Sequence, residues 1–349
     1  MSAVCYDPKA RMTPDAGIVL KLIEAFRWSN AMFTATSLGV FDLLAAQELA
    51  TADGIAAMLH THRDATELLL DACVALQLLE KSNGGYRNTA AANRFLLRDS
   101  PDTLTGYILY SHAALVPMWS HLEDAVREGS HRWTQTFGPE RELFAHFFKT
   151  DESMRTFLRG MHGLGMLGSP MVAAAHDLSP YRRMVDLGGA TGHLAVEVKR
   201  RYPGMSCAVF DLARVTGVAR EFVDSTGLEI ELISGDFFRD ALPAADLFAV
   251  GRIFHDWSDA TVVDLLGKMH SALPDGGGVL ICERVLEADK TGPLSGLMQS
   301  LNMLVVTEGK ERNEAEYAAL LGAAGFGDVV LRRTEGPLDA ILARKQSRG

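Results

Sequence analysis

The stretch RRMVDLGGATGHLAVEVKRRYPG, Arg182 to Gly204, decides how the chain is read. Its first part is a short apolar run ending in an acid and two glycines. Its second part, from His193, has the spacing of an amphipathic helix and is stopped by Pro203 and Gly204. A strand that turns on glycine into a helix is half of a parallel crossover unit, and the same texture recurs downstream. SCAVFD is a second strand ending in Asp211, LEIELISGDFF a third, DLFAVGR a fourth and GGGVLICERV a fifth. Strand and helix alternating at this spacing predict an α/β fold with a doubly wound, mostly parallel, Rossmann-like sheet. Ligands in such sheets bind beyond the carboxyl ends of the strands, so the informative residues are those just after each strand.

Upstream of about residue 180 the texture is helical. Apolar residues recur at helical spacing from Ile18 to Leu44 and again from Ala65 to Leu79, and KSNGGYRNT, Lys81 to Thr89, supplies a glycine turn between two short strands. Helices followed by a small hairpin are the pattern of a winged-helix-like module, which binds DNA or packs against a partner. A second helical block, Thr103 to about Ala175, is rich in large apolar residues suited to core, dimer interface or pocket wall. The expected division is a helical, winged-helix-like dimerisation domain over residues 1–100, a helical linker and substrate-pocket region over 101–178, and a ligand-binding domain over 179–349. The formal charge of −10 repels a phosphate backbone, which favours packing over nucleic-acid binding. No apolar run is long enough to span a membrane and the N-terminus lacks a signal-peptide core, which points to the cytoplasm. The four cysteines, Cys5, Cys73, Cys207 and Cys282, form no C-x-x-C pair and suggest neither a disulfide framework nor a thiolate metal site.

Within the sheet region, VDLGGATG, Val185 to Gly192, allows backbone N–H groups to approach a ligand closely. It does not fit the dinucleotide fingerprint, which needs glycine at 188, 190 and 193 where the chain has Gly188, Ala190 and His193. Asp211 at the next strand end is suited to ribose hydroxyls. Asp236 and Phe237, in SGDFF, offer an acid for an adenine amino group and an aromatic face for its ring. The plainer reading of each acid is a helix N-cap, but three strand ends carrying such groups together argue for a nucleoside.

The segments DLGGATG, GDFF, HDWSD, PDGGG and SLNMLVVTEGKER together resemble the S-adenosylmethionine-dependent O-methyltransferases of small hydroxylated aromatics, most closely the acetylserotonin branch. TELLLDACVALQLLE, YRNT, DAVREG, TFG and LDAILARK extend the resemblance over most of the chain. It implies a class I methyltransferase domain, S-adenosyl-L-methionine as cofactor, a small aromatic hydroxyl-bearing substrate, a homodimer, and no metal. Methyl transfer from a sulfonium to a phenol needs a base that works near neutral pH, which suits histidine. His255 follows the fourth strand at the ligand edge, and Glu283 and Glu311 are two acids able to orient it. By the same resemblance Arg252 and Trp257 contact the cofactor, while Asp256 and Asn302 contact the substrate. The plainer readings are a helix-start histidine and acid, a surface guanidinium, and a packed tryptophan. The other ten histidines are assigned no role. Two departures from the acetylserotonin enzymes put an indole substrate in doubt: Phe148 stands near their tyrosine, and glycines around 165 replace their tryptophan. Rival expectations are methylation at nitrogen or carbon, a non-methylating reaction on the same fold, or a winged-helix regulator or silent scaffold.

Overall fold

The computed structural model describes residues 16–47, 49–139 and 150–346. Cys5 and Phe148 lie outside the described residues. The chain divides into two compact units, residues 1–97 and 98–349.

In the first unit the helical run predicted from Ile18 is divided by Gly39, whose φ of +80° ends the helix Gly17–Leu38 and starts Val40–Ala45. Helices Ala52–Leu59 and Arg63–Ala75 follow, then strands β2 (Leu79–Ser82) and β3 (Gly85–Asn88), which pair antiparallel through the expected glycine turn. A two-residue strand β1 (Ala50–Thr51) completes a sheet of order β1-β3-β2. Phe41, Ile55, Leu70, Leu79 and Tyr86 are its fully buried anchors. The helix Gly17–Leu38 behaves differently, because Val19, Leu20, Leu22, Ile23 and Phe26 are each more than half exposed.

The second unit is built on a seven-stranded sheet of order β6-β5-β4-β7-β8-β10-β9. Strands β4 (Arg183–Leu187), β5 (Ser206–Asp211), β6 (Ile230–Ser234), β7 (Leu247–Gly251) and β8 (Gly278–Glu283) are parallel and correspond to the five read from the sequence. Two strands not read there, β9 (Phe326–Arg332) and β10 (Asp339–Lys345), close the edge, with β10 antiparallel to both neighbours. Strand alternation sends Met184 to a core cluster on one face of the sheet and Val185 to a cluster on the other, so helices cover both sides. The strand order reverses at β4, which lies between β5 and β7, and this opens the crevice in which such sheets take ligands. Above that edge the helix Asp151–Ala175 packs on Thr105–Tyr110, and no helix among the described residues is long and apolar enough to cross a membrane.

Candidate active site

The loop after β4 has the backbone that its glycines predict. Gly188 sits at φ +66°, and a Cβ there would come within 2.6 Å of Ile253 Cδ1 and 3.3 Å of Phe237 Cε1. Residues from the ends of β4, β6 and β7 therefore meet at this point. Ala190, at φ +49°, accepts the same left-handed strain with a side chain, and its N–H donates to Asp211 Oδ2 at 2.9 Å. The Leu212 N–H donates to the other Asp211 oxygen at 2.7 Å. Burial raises Asp211, and these two N–H groups hold the rise to about 6. At neutral pH it is a carboxylate pinned between two strand ends, with lone pairs left for a ligand. Asp186, the acid in the first apolar run, is 2 % exposed, has no partner for Oδ2, and is raised to about 8 by burial with Asp211 adding to it.

Beyond β6, Asp236 Oδ1 accepts from the Phe238 N–H at 2.8 Å, which turns the chain so that Phe237 packs inward. Phe238, half exposed, stands edge-on to Phe237 at 4.6 Å and to Trp257 at 4.9 Å between ring centroids. The aromatic surface next to Asp236 is thus a group of three rings, and Phe238 presents more of it than Phe237.

Beyond β7 lies the short 3-10 turn Phe254–Asp256. It brings together all three of the proposed catalytic residues. His255 is 3 % exposed, and its Nδ1 lies 2.7 Å from Glu311 Oε1 and 3.4 Å from Glu283 Oε2. Its Nε2 lies on the other side of the ring, 3.8 Å from Asp256 Oδ1. Glu283 also holds the turn itself, since its Oε1 accepts the N–H groups of Ile253 and Phe254, both at 3.0 Å. Burial raises Glu283, with His255 pulling it down and Glu311 pushing it up. Burial raises Glu311 to about 8 against the pull of Arg252, Arg312 and Arg284, and raises Asp256 to about 7 against the pull of His255 and Arg252. Arg252, at φ +56° after the strand end, is the cation that acts on all three acids. His255, Glu283 and Glu311 are also the one group among the described residues compact enough to hold a metal ion. Yet the Nδ1 that a metal would need already meets Glu311 in a short hydrogen bond, a geometry suited to a proton.

Two residues that the sequence reading passed over shape this turn. Arg312, fully buried, donates to the backbone carbonyls of Phe254 and Trp257, both at 2.8 Å, and to Asp259 Oδ1 at 2.8 Å. A Cβ on Gly309 would fall 2.2 Å from the His255 carbonyl oxygen, so only glycine permits the segment carrying Glu311 to lie against the turn. Both belong to EGKERN: their place beside the acid already singled out is the one signal, and it does not say what either touches.

The substrate candidates lie close by. Asn302 is 9 % exposed on the helix Leu294–Val306, which packs against the 3-10 turn, and its Oδ1 accepts from Trp119 Nε1 at 2.7 Å. Tyr110 is near enough to Asp256 and Arg252 for both to act on its hydroxyl. The departure at 165 is tied to His193, the residue that breaks the dinucleotide fingerprint. A Cβ on Gly165 would lie 2.3 Å from His193 Nε2, so the His193 ring fills the space a side chain at 165 would need. His193 Nδ1 pairs with Ser169 Oγ at 2.8 Å, and burial depresses the imidazole to about 3, which keeps it neutral. His162 Nδ1 meets Thr191 Oγ1 at 2.8 Å on the same side of the glycine loop, where the sequence had assigned no histidine.

Known proteins resemble the chain over nearly its whole length. A profile of the O-methyltransferase dimerisation domain matches residues 20–98, and one of the O-methyltransferase domain matches residues 119–327. Acetylserotonin O-methyltransferase of Bos taurus is 44% identical over 329 residues, which is 92% of this chain and 95% of that protein. The enzyme of the same name from Gallus gallus is 41% identical over 335 residues, 94% of this chain and 97% of that one. Among solved structures, human N-acetylserotonin methyltransferase in complex with SAM superposes with a TM-score of 0.91 at 37% identity, covering 97% of this chain and 99% of that one. With a family profile over more than half its residues, and relatives at this identity along almost all of it, the chain belongs to the O-methyltransferase family.

Proposed function

We propose that the protein transfers a methyl group from S-adenosyl-L-methionine to a hydroxyl of a small aromatic or heteroaromatic molecule, with His255 as the general base. One observation carries this reading: a buried histidine at the ligand edge of the sheet, with two carboxyl groups on its Nδ1 side and its Nε2 side turned away from them. The residues present fit the cofactor. Asp211 offers a carboxylate for ribose hydroxyls, Asp236 with Phe237, Phe238 and Trp257 offers an acid and aromatic faces for adenine, and the left-handed backbone at Gly188 opens the loop between them. Arg252 is the nearby cation. When bound, the cofactor supplies an electrophilic methyl on a sulfonium.

The chain's own contribution is alignment and proton management. Glu311, raised to about 8, holds its proton through neutral pH; once it ionises on the alkaline side, the carboxylate at Nδ1 favours the tautomer whose Nε2 carries the lone pair, and Nε2 takes the hydroxyl proton as the oxygen attacks. The imidazolium that results is neutralised by Glu311 and Glu283, which are already in contact and need no reorganisation. Asp256 and Asn302 hold the acceptor. No step needs a metal, and turnover in the presence of a chelator is expected. At 165 the His193 ring takes the place of a side chain, so the wall there differs from that of an enzyme with a tryptophan at this position, and the acceptor need not be N-acetylserotonin.

The same reading makes the protein a cytoplasmic homodimer without affinity for nucleic acid. The apolar face of helix Gly17–Leu38 falls within the part that matches the dimerisation profile, and supports a dimer that buries it. The expected division into residues 1–100, 101–178 and 179–349 stands as part of the proposal, with the middle segment as pocket wall. The test is His255→Ala: calorimetry with S-adenosylmethionine should give unchanged binding, while transfer to the best of a panel of phenols and hydroxylated heterocycles falls about 10² to 10⁴ fold. Turnover near that of the wild type would remove His255 from the mechanism, and no binding of cofactor by the wild type would remove the reading itself.

A further inference from the structure

Trp119 ends a helical segment that runs unbroken from Thr105 through a π turn, Ser111–Leu115, to Val116–Trp119. At about 100° per residue, Tyr110 and Trp119 would point to opposite sides of a regular α-helix. The π turn accommodates one extra residue and holds Trp119 back by about 100°, which brings it within about a quarter turn of Tyr110. Tyr110 lies beside Asp256 and Arg252, so the π turn is what puts Trp119 on the wall of the proposed acceptor pocket.

There the Trp119 indole donates to Asn302 at 2.7 Å. An indole N–H is a donor only, so the atom of Asn302 that it meets has to be the oxygen. The amide's polarity is fixed by chemistry, whichever way the group would otherwise turn. Its nitrogen has no hydrogen-bond partner among the described residues, and it is not among the sealed, unpartnered polar atoms of the interior.

We propose that Trp119 is a positioning residue: by holding Asn302 Oδ1 it turns the amide N–H groups toward the pocket, so that the site selects a substrate carrying a second hydrogen-bond acceptor, such as a carbonyl, besides its reacting hydroxyl. This rests on the function proposed above. A free asparagine could turn either end to the pocket; one held at its oxygen presents its NH2, which meets acceptors.

The test pairs N-acetylserotonin, which has a side-chain carbonyl, with 5-hydroxyindole, which has none. Trp119→Phe keeps most of the ring and removes the N–H. It should raise KM for N-acetylserotonin about three- to tenfold with little change in kcat, and leave KM for 5-hydroxyindole unchanged. Asn302→Leu should raise KM for N-acetylserotonin similarly, and adding Trp119→Phe to it should do nothing more. Equal increases for both phenols, or additive effects of the two substitutions, would overturn the proposal. A spectroscopic arm does not depend on turnover. The Trp119 indole ¹⁵N–¹H resonance, assigned by its loss in Trp119→Phe or by selective labelling should that variant not fold, should move in Asn302→Leu and stay near its place in Asn302→Asp, which keeps an acceptor. An indole resonance indifferent to Asn302→Leu overturns the proposal. Methylation of neither phenol, with the resonance behaving as expected, is a failure of the proposed acceptor class and leaves the held amide standing.

Discussion

At Glu311 a single oxygen, 2.7 Å from His255 Nδ1, sets the orientation of the ring, and once the group ionises, toward pH 8, its charge stabilises the proton that the ring gains. Glu311→Gln keeps an acceptor of the same shape and removes that charge. A charge-assisted hydrogen bond contributes about 1.5 to 3 kcal/mol, so kcat should fall about 10- to 100-fold while cofactor affinity, measured by calorimetry, stays within a factor of two. Glu283→Gln can keep its amide oxygen on the two backbone N–H groups, which turns its NH2 toward His255 Nδ1, so kcat rather than thermal stability should carry the loss. His255, Glu283 and Glu311 could be read from the sequence because each stands in a short segment with its own resemblance, at or near a strand end. Arg312, Gly309 and Trp119 could not. Their value lies in what they touch across the fold, and a buried arginine bonding two backbone carbonyls is written like a surface one.

The 3-10 turn Phe254–Asp256 is the element through which the catalytic proposal can be tested without altering a catalytic side chain. Gly309→Ala would place a Cβ 2.2 Å from the His255 carbonyl, and the backbone atoms there cannot yield as a flexible side chain would. The turn has to shift, and the expectation is a loss of about 1 to 3 kcal/mol in stability together with at least about a tenfold fall in kcat. Gly322→Ala is the matched control, because it lies in the helix Glu314–Ala323 with nothing within 4 Å of the new Cβ. It should stabilise the protein by about 0.5 to 1 kcal/mol and leave turnover alone. Thermal unfolding and steady-state rates on the two variants separate the cases. At this scale the five parallel strands were legible because each is a short apolar run closed by an acid or a glycine. The edge pair β9 and β10 was not. β9 has glycine signals at both ends, Gly325 and Gly336, but beyond Phe326 it alternates only half-buried and exposed residues, and β10 follows a loop tied by Arg284 to the Gly336 carbonyl and by Arg333 to Asp339.

Across the whole molecule, an unusual number of carboxyl groups are buried at the ligand edge of one sheet, and their protons couple stability to pH. Burial raises Asp186 and Glu311 to about 8, Asp256 to about 7 and Asp211 to about 6, each far above an unfolded value near 4. Raised folded values mean that between about pH 4 and pH 8 the native state binds more protons than the unfolded one, so the slope of stability against pH is negative there. The contribution of these groups is complete below about pH 4 and is lost as pH rises through 6 to 8. Exposed acids such as Asp71 and Asp289 are shifted the other way by hydrogen bonds, and their contribution is lost only on going below the ordinary carboxylate range. Without ligand, the unfolding temperature should therefore fall from about pH 5 to pH 8. Asp186 isolates the effect, because its Oδ2 has no partner and it sits outside the His255 cluster. Asp186→Asn removes the proton while keeping the size, and should flatten the fall above pH 6 relative to the wild type. An unchanged slope in that variant would mean that Asp186 is ionised in the native protein and that some other group holds its charge. The site is thus kept at a cost in stability that grows toward neutral pH, and a cofactor whose ribose hydroxyls meet Asp211, as proposed above, would offset the part that belongs to Asp211, with its largest rise in unfolding temperature expected where Asp211 is ionised, above about pH 6.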